Sequence, residues 1–224
     1  MKILALGDPH GKLPKKLDKI IKKNKIDLII CVGEVFPINR MKNGTGYADF
    51  KNGERIIKKI SSYNLPSIIL RGNMFFNKKE QKYFSNLLKK YNLDYKEIGS
   101  LKIKNLSIII CDMIFERWAY NWLNDKSFLD KVTKTNKSRE VLLNKLLKEN
   151  PNSILVCHNP PYGYVDVTYS KKHVGSRIIF KAIKSHQPKI VLCGHIHEAK
   201  GKAKIGKTII YNLGCCGDYK IIVI

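Results

Sequence analysis

KILALGDPHG, residues 2–11, is the stretch from which the rest of the chain is read. Residues 2–6 form an apolar run of strand length, and the run ends in a glycine, an aspartate, a proline, a histidine and a second glycine. A short apolar run closed by such residues reads as a strand entering a turn. Glycine at both edges of that turn lets the backbone bend sharply and approach a ligand. Asp8 and His10 are chemically competent side chains placed where the strand gives out.

The same arrangement recurs along the 224 residues. Further strands are predicted over 27–32, 67–70, 107–111, 153–157, 190–193, 208–211 and 219–224. Helical patterns lie between them, around Leu17, Ile20 and Ile21, around Ile56, Ile57 and Ile60, and around Phe84, Leu87, Leu88 and Tyr91. Two more hold Val141, Leu142 and Leu146, then Ile179, Ala182 and Ile183, with Pro14 and Ser176 as helix-start residues for the first and last patterns. Strand and helix alternate as in an α/β fold with a largely parallel sheet. The glycine-punctuated last third reads as antiparallel. Residues 35–52 and 113–137 read as long loops, which in a compact domain are often lids or binding loops.

The length fits a single domain over residues 1–224 with a substantial core. No run of 18 apolar residues exists, so a membrane span is not expected. The apolar start is too short for a signal peptide, and a cytoplasmic location is expected. The net charge of +24 invites a nucleic-acid partner. Lysine is spread through every segment, however, so the charge reads as compositional bias more than as a focused patch. Nucleic acid is therefore possible but not favoured over anionic, phosphate-bearing small-molecule substrates. Six cysteines include no C-x-x-C pair, and four of them close apolar runs, which argues against structural zinc and disulfides.

In open α/β sheets, ligands gather at the carboxyl ends of the strands. The residues found there are Gly7–Gly11, Gly33 with Glu34, Gly72 with Asn73, His158 with Asn159, and the block GHIH at 194–197. Asp8, His10, Glu34, Asn73, His158, His195 and His197 thus fall on one rim. They are oxygen and imidazole donors, the set that suits Mn, Fe, Ni or Zn. Each element alone is weak, but four of the six histidines fall at strand ends. In an extended His-x-His, alternate side chains point the same way and two imidazoles address neighbouring ions.

The series Asp-x-His, Gly-Glu, Gly-Asn, His and Gly-His-x-His resembles the calcineurin-like metallophosphoesterase family, in order and spacing from Leu6 to His197. The resemblance implies an α/β fold, a four-layer αββα sandwich of two mixed sheets, and a dinuclear site of two divalent ions, with manganese the first choice. Carried over, Asp8, His10 and His197 hold one ion and Asn73, His158 and His195 the other. Glu34 stands where the family usually has a bridging Asp. Two ions ~3.5–4 Å apart activate water and clamp phosphoryl oxygens for in-line attack. Gly72 and Asn73 help to position the phosphate, so Asn73 and His158 are read as catalytic as well as ligating.

Two positions depart from the family pattern. Glu34 is one methylene longer than Asp, which displaces its carboxylate by roughly 1.5 Å unless the backbone retreats. Met74 falls where the family has a His resembling a general acid, and Phe75 replaces the acidic residue that orients it. A thioether donates no proton. His173 is the preferred compensating donor, with Lys171, Lys172 and Arg177 as phosphate-binding side chains. His186 reads as a helix-end residue. The leading expectation is a phosphoesterase acting on phosphodiesters or other esters with good leaving groups. The alternatives are a degenerate binding module and a nuclease that stacks bases on Trp118, Tyr120 and Trp122.

Overall fold

The computed structural model describes residues 1–40, 46–48, 50–73, 78–93, 95–112, 114 and 126–224. Met74, Phe75, Trp118, Tyr120 and Trp122 lie outside them. The chain divides into two compact units, Met1–Tyr95 with Leu213–Ile224, and Lys96–Asn212. Each has its own mixed sheet with helices, an α/β construction.

The first unit contains β1 (Lys2–Leu6), α1 (Leu17–Asn24), β2 (Leu28–Cys31), β3 (Ile38–Arg40), β4 (Gly46–Ala48), α2 (Phe50–Ser61), β5 (Ser67–Ile69) and α3 (Lys78–Lys90). It is completed by the C-terminal strand β12 (Tyr219–Val223), and its sheet runs β12-β1-β2-β5. The β1, β2 and β5 pairings are parallel, and β12 is antiparallel to β1. Leu6 is opposite Cys31, and Cys31 is opposite Ile69, so these three strands end level with one another. Leu4, Leu6, Ile29, Cys31 and Ile69 pack against Leu17 of α1, Ile56, Ile57 and Ile60 of α2, and Phe84, Leu87 and Leu88 of α3. The alternate residues Ile3, Ala5, Leu28, Ile30 and Ile68 are also excluded from solvent. Burial on both faces is why these strands read as unbroken apolar runs.

The second unit contains β6 (Ile98–Ile103), β7 (Leu106–Cys111), α4 (Lys126–Glu149), β8 (Ile154–Cys157), α5 (Arg177–His186), β9 (Ile190–Cys193), β10 (Gly201–Ile205) and β11 (Thr208–Asn212). The strand order is β10-β11-β9-β8-β7-β6, parallel in the centre and antiparallel at both edges. Leu143 and Leu147 of α4 and Ile179, Ala182 and Ile183 of α5 cover one face. Ser176 caps α5, its hydroxyl accepting from the Ile179 amide at 3.1 Å, as its place in the sequence predicts.

Several expectations need correction. α4 begins at Lys126, inside the segment read as loop, and α2 begins at Phe50, inside the other. The start of α4, KSFLDKVTKTNK, is rich in lysine and has no clear apolar period, so the periodicity signal fails there. On the same helix Val141 is 65% exposed, while Leu143 and Leu147 face the core. α1 starts at Leu17 behind a left-handed Lys16 with no side-chain cap, so Pro14 precedes the helix instead of opening it. β6 and β10 are strands that the sequence does not announce; each is a glycine-containing edge strand formed by antiparallel pairing with its neighbour. Among the described residues no helix is long and apolar enough to cross a membrane.

Candidate metal centre

In the first unit, the backbone carries Asp8 past the end of β1. Its amide donates to the Gly214 carbonyl at 2.9 Å, and its carbonyl accepts from Cys216 at 2.8 Å. This extra bridge to Cys215 fixes the Asp8 backbone at the sheet edge and leaves the side chain fully buried. Gly7 is required for that approach, because a Cβ there would stand 2.4 Å from the Gly214 carbonyl oxygen. Two residues on, His10 takes a left-handed φ of 44° and donates its amide to the Glu34 carbonyl at 2.8 Å.

Glu34 is itself left-handed, with φ 45°, and its amide donates to the Arg71 carbonyl at 3.3 Å. Its carboxylate lies 3.0 Å from His10 Nε2. A left-handed conformation costs an L-residue about 1–2 kcal/mol, and such outliers cluster at functional sites. Here the turn brings the longer carboxylate of Glu34 onto the neighbouring imidazole. Asn73, after the left-handed Gly72, buries its Oδ1, which has no hydrogen-bond partner among the described residues. Asp8, His10, Glu34 and Asn73 therefore all come from the level ends of β1, β2 and β5.

In the second unit, His158 follows β8 directly and is fully buried. Its amide donates to the Asp112 carbonyl at 3.0 Å, and its carbonyl accepts from Gly194 at 3.0 Å. The His158 and His195 rings lie 4.9 Å apart at 59°, with a ring nitrogen of each within 4.8 Å of the other. His195 has a φ of 68°, and His197 opens a 3-10 turn, His197–Ala199. The extended His-x-His expected from the sequence is thus replaced by a left-handed turn, with Ile196 buried between the two histidines. Asn212 pins that turn, donating to the Ile196 carbonyl at 2.8 Å and the Val165 carbonyl at 2.9 Å.

Asp112, Arg71 and Asp166, which the sequence does not single out, are buried, as is Asn159, placed at a strand end but given no role. Asp112 was findable: like His158, it is the first residue past a strand that closes on cysteine. Asn159 accepts the Ile114 amide at 2.9 Å, a link that only the fold shows. His173 sits 2.6 Å from Asp166, on a loop of the second unit. His186 closes α5 with its Nε2 2.9 Å from Asn144 Oδ1, a structural contact. The strand-end cysteines pack as apolar side chains: burial pushes the Cys111 thiol to about 12 and holds the Cys157 thiol well above its usual range.

The candidate donors are carboxylates, an amide carbonyl and imidazoles, and among them Asp8, Glu34 and His158 are buried. That chemistry fits divalent cations of the borderline class. A model of the family described as calcineurin-like phosphoesterase matches residues 1–199. The chain belongs to that family. Its members use divalent metals and act on phosphate-containing substrates, so the chain is a metal-dependent phosphoesterase in general type. It is 29% identical over 222 residues to MJ1162 of Methanocaldococcus jannaschii, covering 95% of this chain and 87% of that protein. Among solved structures it is similar to a dimetal phosphatase from Danio rerio, with a TM-score of 0.62 at 9% identity, covering 99% and 91% of the two chains. It is also similar to TT1561 of Thermus thermophilus, with a TM-score of 0.58 at 16% identity, covering 96% and 90%. These two likenesses show the fold.

Proposed function

We propose that this calcineurin-like phosphoesterase hydrolyses phosphodiesters or other phosphate esters with good leaving groups, using two divalent ions. The ligand assignment is the one the family pattern implies: Asp8, His10 and His197 for one ion, Asn73, His158 and His195 for the other, with Glu34 as the bridging carboxylate. The observation that supports this reading is that carboxylate, amide and imidazole side chains follow the strand ends of each sheet, three of them, His10, Glu34 and His195, in left-handed backbone. When bound, the ions supply an activated water near neutral pH and neutralise charge on the phosphoryl oxygens.

The protein's own groups do the rest. The backbone bonds of Asp8 and the left-handed conformations of His10, Glu34 and His195 fix these residues without any ion. That preorganisation lowers the cost of forming the site. Gly72 allows a close backbone approach to a phosphate next to Asn73. The residue after Asn73 is Met74, which cannot protonate a leaving oxygen, and this motivates the preference for good leaving groups. Manganese is the first metal to try.

The test is hydrolysis of a panel of aryl and alkyl phosphomonoesters and phosphodiesters by purified protein with Mn²⁺. Turnover should vanish with chelator, return with metal, and favour aryl over alkyl esters. Calorimetric titration with Mn²⁺ should show binding that Asp8→Ala weakens. Absence of metal binding by the wild-type chain would sink the reading.

A further inference from the structure

The segment after His158 closes on itself. Pro161 bridges Ser176, the Ser176 amide donates to the Pro160 carbonyl at 2.8 Å, and Tyr162 donates to the Ser176 carbonyl at 3.0 Å. Within it lies a small hairpin in which Val167 pairs with His173 and the Val174 amide donates to the Asp166 carbonyl at 3.2 Å. At its base is Asp166, with no solvent exposure. Asp166 Oδ2 accepts the amides of Gly163 at 3.0 Å and Gly175 at 2.9 Å, and Oδ1 lies 2.6 Å from His173 Nδ1.

This carboxylate does two things. Its Oδ2 already pins the loop at both ends, and a Cβ on Gly175 would stand 2.8 Å from that oxygen. Its Oδ1 faces the His173 imidazole, while the hairpin itself is closed by backbone bonds. A carboxylate on Nδ1 fixes that nitrogen as the protonated one and leaves Nε2 as the working atom. The His173 side chain is 45% exposed, whereas Asp166 beneath it has no exposure. The Tyr162 ring stands 5.8 Å from His173, and the Arg177 guanidinium lies 4.9 Å over the same ring. The loop leaves the sheet two residues after His158, and its tip returns to the next metal-binding turn: the Tyr169 amide donates to Glu198, the neighbour of His197, at 3.1 Å.

We infer that His173, positioned by the buried carboxylate of Asp166, is the proton donor to the leaving group. The inference rests on the phosphoesterase reading above. The oxygen of water bonds to phosphorus as the ester P–O bond breaks. The departing oxygen keeps the bonding pair and takes the Nε2 proton of the His173 imidazolium. The attacking water gives its proton to solvent, and His173 recovers one from solvent. His173 thus brings poorer leaving groups within reach, and its removal steepens the preference for good ones. Asp166 is a positioning residue.

The experiment compares wild type, His173→Ala and Asp166→Asn with Mn²⁺ on p-nitrophenyl and alkyl esters. General acid catalysis is worth 10²–10⁴-fold, so alkyl turnover in His173→Ala should drop by about 100-fold or more, with p-nitrophenyl turnover changing less than about tenfold. Added imidazole should restore alkyl turnover in His173→Ala. Equal losses on both esters, or none, overturn the role of His173 and leave the phosphoesterase reading standing. A wild type that binds Mn²⁺ but cleaves no ester overturns both. A second readout needs no metal: long-range ¹H–¹⁵N correlation should show neutral His173 protonated at Nδ1 in wild type and shifted toward the Nε2 form in Asp166→Asn. An Nε2-protonated wild type overturns the positioning by Asp166, and His173→Ala keeps the test open if Asp166→Asn does not fold.

Discussion

Two turns invite comparison, Gly7–His10 in the first unit and Gly194–His197 in the second. Both begin with glycine one residue past a strand and set candidate donors two and four residues past it. They part company at the first donor. Asp8 prolongs the sheet, bonded through both its amide and its carbonyl, and the left-handed bend waits until His10. In the second turn the bend falls on the first donor, His195, and the chain coils at once into a 3-10 turn. One unit holds its leading donor by sheet pairing, the other by a strained turn and the side chain of Asn212. The same D-x-H or H-x-H spacing therefore conceals two different mechanical solutions.

The largest effect should come from attacking the sheet-held turn. Gly7→Ala puts a methyl group 2.4 Å from a backbone oxygen with no side chain to yield. Overpacking typically costs 1–3 kcal/mol, and backbone against backbone should reach about 3 kcal/mol, read as a lower urea midpoint. A midpoint within error of wild type would show that the Leu213–Gly214 backbone gives way and that Asp8 is not clamped. Next in size are the donors themselves. Asp8→Ala and His195→Ala should each weaken Mn²⁺ binding by about 100-fold or more, since even outer-shell partners are worth 10–100-fold. Calorimetry should find a reduced number of ions bound in each variant, and unchanged stoichiometry and affinity in either would remove that residue from the ligand set.

A smaller effect runs the other way. His10, Glu34 and His195 occupy conformations that glycine adopts freely. Glu34→Gly should raise the stability of the metal-free protein by about 1 kcal/mol while weakening metal binding. Asp8→Gly, at a position with sheet-like bonding, should lower it. A destabilised Glu34→Gly would mean that the His10 contact at 3.0 Å outweighs the strain.

This contrast also explains what could be read in the sequence. The candidate donors at 8, 10, 34, 73, 158, 195 and 197 could be placed at strand ends because each follows an apolar run, and a strand end needs no tertiary information to be located. The left-handed turns were not, because φ at a histidine or glutamate is set by the surrounding backbone bonds. Asp166 was missed for a related reason: it lies in an irregular loop, and its partners Gly163, Gly175 and His173 meet it only after the loop has closed. The start of α4 shows the opposite limit, a helix whose first turns present mostly polar and charged residues and so carry no periodic signal.

The thiols test the clamp on Asp8 from its far side. Cys215 forms the bridge to Asp8, and Cys216 donates its amide to the same residue. Cys216 is exposed, whereas burial first, and then the hydrogen bond with Cys216, push the Cys215 thiol to about 12. At pH 8 a disulfide-exchange reagent should therefore modify Cys216 quickly and Cys215 slowly, with Cys31, Cys111, Cys157 and Cys193 reacting only on unfolding. Rapid loss of two thiols would place Cys215 in the open and loosen the argument for a rigid Asp8. Modification of Cys216 alone should leave metal binding intact.

The smallest effect is electrostatic and separates the first unit's surface from its rim. Lys59 Nζ lies 2.6 Å and Tyr63 Oη 2.8 Å from Asp18 Oδ1, tying α1 to α2. The bond from Lys59 first, then that from Tyr63, holds the Asp18 carboxyl below its usual 3.8, and the bond to Asp18 raises Lys59 above 10.5. A lowered carboxyl stabilises the fold above 3.8 and loses that contribution as pH falls through its folded value. A raised amine stabilises below 10.5 and loses its share as pH climbs through its folded value. The pair is exposed, so Lys59→Met should shift the urea midpoint only slightly at pH 7 and should be shielded by salt. The difference between variant and wild type should shrink at both pH extremes. A difference that persisted at pH 2 would mean that Lys59 acts through packing on Tyr63, 4.9 Å from its ring centre, and not through charge.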